Sequence, residues 1–319
     1  MIRFLVRRVF LGVVVMWVVS TAVFILYFVA PHNVAQTLAG RQATAQTVEL
    51  IKHRLGLDQP ILTQYGDYLD RLIHGNLGYS YVSNEPVTTI IKQDLPVTVS
   101  VAIGGAVIWL LIGVSSGVLA ATRPRTLADR TVTGFALFFY SMPTFLLGEI
   151  FLLILFYRLH LAGFDFFPGS GYVPLQQSVG GWFQHMILPW FTIALVTAAT
   201  YSRLTRGSML DVLGEDYIRT ARSKGISERR VVYRHGLRSA VTPVVTQFGI
   251  DLGTLLGGII VTETVFGLPG LGQQIYNSIS RQDLPVIIGL VLLASAFIVA
   301  ANIVVDMVYA VLDPRVRLS

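Results

Sequence analysis

At 319 residues the chain has room for two soluble domains, but 53% hydrophobic residues, 13% charged residues and a mean hydropathy of +0.64 exclude that arrangement. The balance is basic, with net charge +6 and a pI of about 9.6, and in so apolar a chain this points to Lys and Arg gathered on one side of a bilayer rather than to nucleic acid. The absence of cysteine removes disulfides, thiolate metal sites and cysteine nucleophiles.

The chain opens with Arg3, Arg7 and Arg8, then the apolar stretch Val9–Ala30. Its 22 residues exceed the roughly 7–15 of a signal-peptide core, and no clear cleavage site follows, so it reads as an uncleaved first span. Five further apolar stretches match the roughly 17–25 residues of a crossing helix or exceed it. They are Val97–Ala121, Thr131–Tyr157, Met186–Ser202, Ala240–Phe266 and Pro285–Leu312. The expected fold class is an all-α polytopic membrane protein with six transmembrane helices. Residues 1–96 hold the first span and an external amphipathic segment. Residues 97–319 hold a five-helix core with a charged loop at 203–239.

Within 31–96, the string TVELIKHRLGLDQPILTQYGDYLDRLIHG has apolar residues at helical spacing, punctuated by Gly56 and Pro60 and ended by Gly75, Asn76 and Gly78. It predicts two short amphipathic helices on the outer face. Orientation follows from charge. Of the 24 Lys and Arg, 17 fall in the N-terminus, the loop at 122–130, the loop at 203–239 and the tail, so that side is expected to be cytoplasmic, with both termini inside.

In the charged loop, 202–214 continues the fourth span as a helix. A short helix over Asp216–Lys224 follows, and Gly225 is a natural stop because glycine takes the left-handed cap conformation freely. Ser227 can cap the next helix, with Glu228 in its first turn. The loop therefore reads as helix, glycine elbow, helix. Tyr217, Ile218 and Ala221 form a small apolar ridge, and Arg219, Arg222 and Lys224 a basic rim, a pattern that fits a groove on a protein partner. A solvated positive loop is the plainer alternative. A helix-turn-helix DNA reader fits poorly, because both ends are tied to membrane spans, and no nucleic-acid partner is expected.

Four acids fall within or near spans: Glu149, Asp251, Glu263 and Asp306. A charge near the bilayer centre costs about 2.5–3.5 kcal/mol on insertion scales, so such groups face protein or water. In the fifth span Gly249, Gly253 and Gly257 make a close-packing stripe. Gln247, Asp251, Thr254, Gly258 and Thr262 make a polar stripe roughly opposite. That stripe is either a set of interhelical hydrogen bonds or the wall of a translocation path. Glu263 and Asp306, nearer the span ends, read as structural. Pro143 predicts a kink in the third span, as a hinge or as packing.

Several chemistries are missing from the sequence. No G-x-x-x-x-G-K-[ST] occurs, so any ATP that drives this chain is bound by another. GVSSG (113–117) spells a nucleophile-elbow pattern, but inside a span it reads as a small-residue packing patch. The six histidines share no metal-ligand spacing. No catalytic residue, metal site or bound cofactor is expected.

RTARSKG (219–225) resembles the EAA-loop signature of ABC-importer permeases, with Ala221 and Gly225 matching the second Ala and the Gly. Arg219 stands where many members have Glu, and the usual proline near Leu237 is absent. These departures are typical of the dipeptide/oligopeptide permease branch. LGLDQPILTQY (55–65), GNLGYSY (75–81), EDYIRTARSKGISERRVV (215–232), ETVFGLPGLG (263–272) and VDMVYAVLDPRVR (305–317) are similar to that branch, nearly end to end. The resemblance implies the type I importer transmembrane fold in the bacterial plasma membrane. It also implies a homologous second permease, two ABC ATPase subunits holding ATP and Mg, and an external solute-binding protein. Asp216, Tyr217, Arg219, Thr220, Ala221, Arg222, Lys224 and Gly225 would form the coupling helix seated on an ATPase. Relatives of the branch carry dipeptides, oligopeptides, glutathione-like molecules, nickel chelates or haem. The rival class is an ion-coupled secondary transporter using Asp251 and Glu149, which inverted repeats would favour; none is visible. A membrane enzyme is a more distant alternative.

Overall fold

The computed structural model describes residues 2–26, 44–54, 56 and 58–312. Side-chain surroundings are not described for 2–5, 51, 54, 253–254, 256–258, 305–306 and 308–312. The end of the first span (27–30), Leu55 and Leu57, the surroundings of Gly253, Thr254, Gly257, Gly258 and Asp306, and Arg315 and Arg317 therefore lie outside the described residues.

All regular structure among the described residues is helical. In chain order the elements are α1 (Ile2–Phe24), α2 (Ala45–Arg54), α3 (Ile61–Ile73), α4 (Val87–Thr122) and α5 (Leu127–Tyr140). They continue with α6 (Thr144–Leu161), α7 (Val179–Leu213), α8 (Asp216–Ser223), α9 (228–240), α10 (Thr242–Phe266), α11 (Leu271–Arg281) and α12 (Leu284–Leu312). Wider π-type turns occupy Leu152–Arg158 in α6 and Val231–Leu237 in α9. Among the described residues, five helices are long and apolar enough to cross a membrane: Val6–Phe24, Val87–Thr122, Thr144–Leu161, Val179–Leu213 and Leu284–Val304. The remaining expected span, Ala240–Phe266, coincides with α10, whose 25 residues measure about 37 Å.

The third span departs from expectation. The chain leaves the helix at Ser141, and Pro143, at φ −60° and ψ 136°, becomes the extended residue before a new helix. Proline has no N–H to give the preceding turn and disfavours the helical conformation at Met142, and here the expected kink is a complete break. α5, at 14 residues, is about 21 Å long and too short for a roughly 30 Å core. The crossing-length helix is α6. Elsewhere the expected boundaries are too tight: α4 begins at Val87, ahead of Pro96, and α7 at Val179, and α7 also runs through Pro189 without ending.

Chain contacts group residues 1–94 with 274–303, and residues 95–273 with 304–319. In the first unit both expected amphipathic helices, α2 and α3, are present. α3 turns Tyr65, Tyr68, Leu69 and Leu72, at i, i+3, i+4 and i+7, onto Val23, Phe24, Ile288 and Leu292. Phe24 and Tyr65 meet edge to face at 5.0 Å. Ser80 Oγ and the Tyr81 N–H both donate to the buried carboxylate of Asp283, fastening the turn after α3 to the start of α12.

In the second unit α4 packs against α7 along a glycine seam. A Cβ on Gly113 would sit 2.5 Å from Tyr201 Cβ, and one on Gly117 2.6 Å from the Ser202 carbonyl oxygen. Bare glycine lets the two backbones approach this closely, and Ser116 Oγ donates to Ser202 Oγ at 2.9 Å inside the seam. GVSSG is thus a packing patch on an unbroken helix. Trp109, Tyr201, Ile259 and Phe266 fill the core where α4, α7 and α10 meet.

Candidate functional site

The charged loop is an ordered structure. α7 ends at Leu213, and Glu215, in an extended conformation, precedes α8. α8 closes with the Gly225 N–H donating to the Arg222 carbonyl at 2.9 Å and the Ile226 N–H to the Ala221 carbonyl at 3.3 Å. Gly225 has φ +73°, the left-handed conformation expected of an elbow glycine. The turn folds Ile226 back onto Ile218 and Ala221, and Val231 completes this small core against Leu213. Val232 and Ala240 of α9 pack on Met209 of α7 and on Val118 and Ala121 of α4.

The expected outward ridge is corrected by this packing. Ile218 and Ala221 are buried within the chain, and of the three ridge residues only Tyr217 is exposed, at 46%. What α8 presents to solvent is Asp216, Tyr217, Arg219, Thr220, Arg222 and Ser223, with Lys224 just beyond. An alternation of buried and exposed residues was legible in the sequence, but its sense was not, because an apolar ridge serves equally to dock a partner or to dock the helix itself.

Ser227 precedes α9 as expected, but its side chain makes no capping bond. Glu228 instead reaches back over the elbow. Arg222 Nη2 donates to Glu228 Oε1 at 2.8 Å and Arg222 Nε to Oε2 at 3.1 Å. These bonds hold the Glu228 carboxyl below its usual range. The pair braces α8 against α9 on the exposed side, and the Ile218 cluster does so on the buried side.

A second ionic contact joins α5 to α7. Arg206, near the end of α7, grips Asp129 with both prongs, Nε to Oδ1 at 2.6 Å and Nη2 to Oδ2 at 2.8 Å. Asp129 also accepts from the Arg125 N–H at 2.9 Å. The Arg206 bonds, then the Arg125 bond, hold its carboxyl down to about 2. Reading the sequence by charge counts missed this pair, since Arg206 was one of many loop cations and Asp129 lay outside the spans.

On α10 the residues of the polar stripe fare differently. Tyr201 Oη of α7 donates to Asp251 Oδ2 at 2.7 Å, and Gln247 Nε2 donates to Oδ1 at 2.9 Å. Thr262 is 1% exposed. Asp251 and Thr262 thus face the chain's own interior in this conformation, and the surroundings of Thr254 and Gly258 lie outside the described residues. Glu149 is exposed on α6. Glu263 is fully buried, with Thr98 Oγ donating to Oε1 at 2.7 Å and the Gly272 and Gln273 N–H groups donating to Oε2 at 2.8 and 3.1 Å. Among the described residues no cluster of His, Asp and Glu is arranged to hold a metal ion.

A helical polytopic membrane protein with an ordered basic elbow between two long helices is the class these features define. Residues 113–318 match the family described as binding-protein-dependent transport system inner membrane component, and residues 1–102 match the N-terminal part of that membrane component. The chain belongs to this family, as a permease subunit of an ABC importer. It is similar to the probable peptide ABC transporter permease protein y4tP of Sinorhizobium fredii, 37% identical over 314 residues that cover 98% of this chain and 99% of the relative. It is 39% identical, over 317 residues and 99% of both chains, to a putative peptide transport system permease protein of Brucella abortus. The same identity, length and coverage hold for the glutathione transport system permease protein GsiC of Escherichia coli K12.

Proposed function

We propose that this chain is one permease of an ATP-driven importer of di- or oligopeptides. Its partners are a homologous second permease, two ABC ATPase subunits and an external solute-binding protein. It sits in the bacterial inner membrane with both termini and the α8–α9 elbow in the cytoplasm. ATP and Mg are held by the ATPases, and this chain supplies no catalytic residue and binds no cofactor.

The observation that carries this reading is the braced elbow. α8 is packed onto the chain through Ile218 and Ala221 while Tyr217, Arg219, Thr220, Arg222 and Lys224 stay exposed. A helix that is rigidly fixed on one side and basic on the other is suited to sit in a partner's cleft and pass on its displacement. Closure of the ATPases moves α8. The Arg222–Glu228 pair and the Ile218 cluster carry that movement into α9, and α10 continues from α9 almost directly. The cycle is a population shift between inward- and outward-open states, biased by nucleotide.

The solute path in this reading runs beside Gln247, Asp251, Thr254, Gly258 and Thr262, with the break at Pro143 as the hinge. Tyr201 covers Asp251 in the present conformation, so the path requires that contact to open during the cycle. Names among the relatives support peptides as cargo, and the glutathione permease points to a tripeptide within the same chemistry.

The test is uptake into proteoliposomes carrying the full complex and binding protein, with labelled di-, tri- and oligopeptides, glutathione, nickel chelate and haem. The proposal expects ATP-dependent peptide uptake that survives collapse of the proton gradient. Uptake that follows the gradient without ATP would establish the ion-coupled alternative. Uptake of nickel chelate or haem alone would move this chain to another cargo class.

A further inference from the structure

The string ETVFGLPGLG (263–272) joins α10 to α11, and its geometry centres on one side chain. Glu263 contributes to both helices. Its backbone carbonyl accepts the Leu268 N–H at 2.9 Å, closing the end of α10 around Gly267, which has φ +60°. This is the glycine-capped helix end in which a later N–H returns to the last turn. Its side chain reaches forward instead, where Oε2 takes the N–H groups of Gly272 and Gln273 in the first turn of α11. The neighbouring Leu271 N–H is taken by Thr98 Oγ at 2.8 Å, and Thr98 in turn donates to Glu263 Oε1. Three successive amides that a helix start leaves without partners are thus satisfied by two side chains.

The fit leaves no spare room. A Cβ on Gly270 would overlap the Glu263 carboxylate, and one on Gly272 would come 2.6 Å from Ile260 Cα. A fully buried carboxylate is a costly device for stability alone, since its desolvation must be offset by well-placed hydrogen bonds. It is a good device for fixing geometry, because its acceptors demand donors in set places.

Glu263 lies 21 residues beyond Thr242, at the far end of α10 from the charged elbow, a distance of roughly 32 Å along a helix. We propose that Glu263, with Thr98, is the positioning residue that fastens this far end to α4 and to the start of α11. Movement delivered to α10 at the elbow then appears at the opposite membrane face instead of being lost in a loose turn. The inference rests on the coupling role of α8 and adds the element that makes α10 a lever.

The experiment uses the reconstituted complex with its binding protein and measures peptide uptake, ATP hydrolysis and assembly for Glu263→Gln, Thr98→Val and Thr98→Ser. Glutamine keeps the size but offers an N–H₂ where an oxygen was needed. Glu263→Gln and Thr98→Val are expected to assemble and hydrolyse ATP, with uptake per ATP reduced about tenfold, the effect of losing roughly 1.4 kcal/mol of bias. Thr98→Ser keeps the hydroxyl and is expected to retain the wild-type ratio. A wild-type ratio in assembled Thr98→Val would overturn the proposal, whatever Glu263→Gln does. So would an equal loss in Thr98→Ser and Thr98→Val. Gly225→Val is run alongside: normal coupling in that variant refutes the role of α8 itself and separates that failure from failure of the clamp.

Discussion

Tyr201 and Asp251, 50 residues apart, join α7 to α10 through a hydrogen bond of 2.7 Å from the phenol to the carboxylate. Gln247 occupies the other oxygen. Loss of the acceptor strands the buried phenol, a change that costs about 1–3 kcal/mol. Asp251→Ala is therefore expected to lower the unfolding midpoint of the detergent-solubilised complex. Asp251→Asn, which keeps an acceptor oxygen, is expected to lower it much less. If the bond also covers the solute path, Tyr201→Phe will raise modification of a cysteine at Thr254 in one nucleotide state. Unchanged protection of that cysteine in both apo and ATP-trapped complexes would leave a purely interhelical contact.

The glycine seam gives a contrast inside one protein. Gly117→Ala places a methyl 2.6 Å from the Ser202 carbonyl oxygen, whereas Gly134→Ala meets nothing within 4 Å. Overpacking of this kind costs about 1–3 kcal/mol. Gly117→Ala is expected to reduce folded yield and thermal midpoint, and Gly134→Ala to leave both unchanged or slightly raised. Equal behaviour of the two in a thermal scan would contradict the packing described for α4 and α7.

Asp129 sets a pH dependence with a definite sign. Arg206 holds its carboxyl at about 2, below the ordinary 3.8. A lowered folded-state value stabilises the protein above the free-chain value, and that stability is lost as pH falls from about 4 towards 2. Asp129→Asn is expected to flatten the fall in unfolding midpoint over that window. A wild-type slope in the variant would mean that the Arg206 pair contributes nothing there.

Much of this architecture was legible from periodicity and charge. Apolar length located the long helices except at the third span, where the crossing-length helix runs Thr144–Leu161 rather than Thr131–Tyr157, and the elbow followed from Gly225, because a left-handed residue has few substitutes. Pro143 marks the interruption in the sequence but predicts only a kink, where the helix ends at Tyr140 and restarts at Thr144. Proline elsewhere in the chain, at Pro96 and Pro189, leaves helices intact, so the residue type alone does not decide. The Thr98–Glu263 and Arg206–Asp129 contacts were illegible for a different reason. Their partners are 165 and 77 residues apart, and no local pattern marks which hydroxyl or cation a given carboxylate will meet.

Gly225→Val tests the elbow itself. A β-branched residue at φ +73° is strained by about 1–2 kcal/mol, so α8 is expected to shift relative to α9. The variant is expected to insert and assemble while its ATPase activity no longer responds to loaded binding protein. A normal response would mean that the elbow geometry is dispensable.

The most direct measurement of the coupling account is cross-linking from α8. The chain has no cysteine of its own, so Tyr217→Cys and Lys224→Cys introduce single reporters on the exposed side. In the assembled complex both are predicted to cross-link to an ATPase subunit, with a yield that changes between apo and ATP-trapped states. They are also predicted to be shielded from a water-soluble maleimide that labels them freely in the isolated chain. Free labelling in the assembled complex, with no cross-link in either state, would contradict the claim that α8 receives the work of the ATPases.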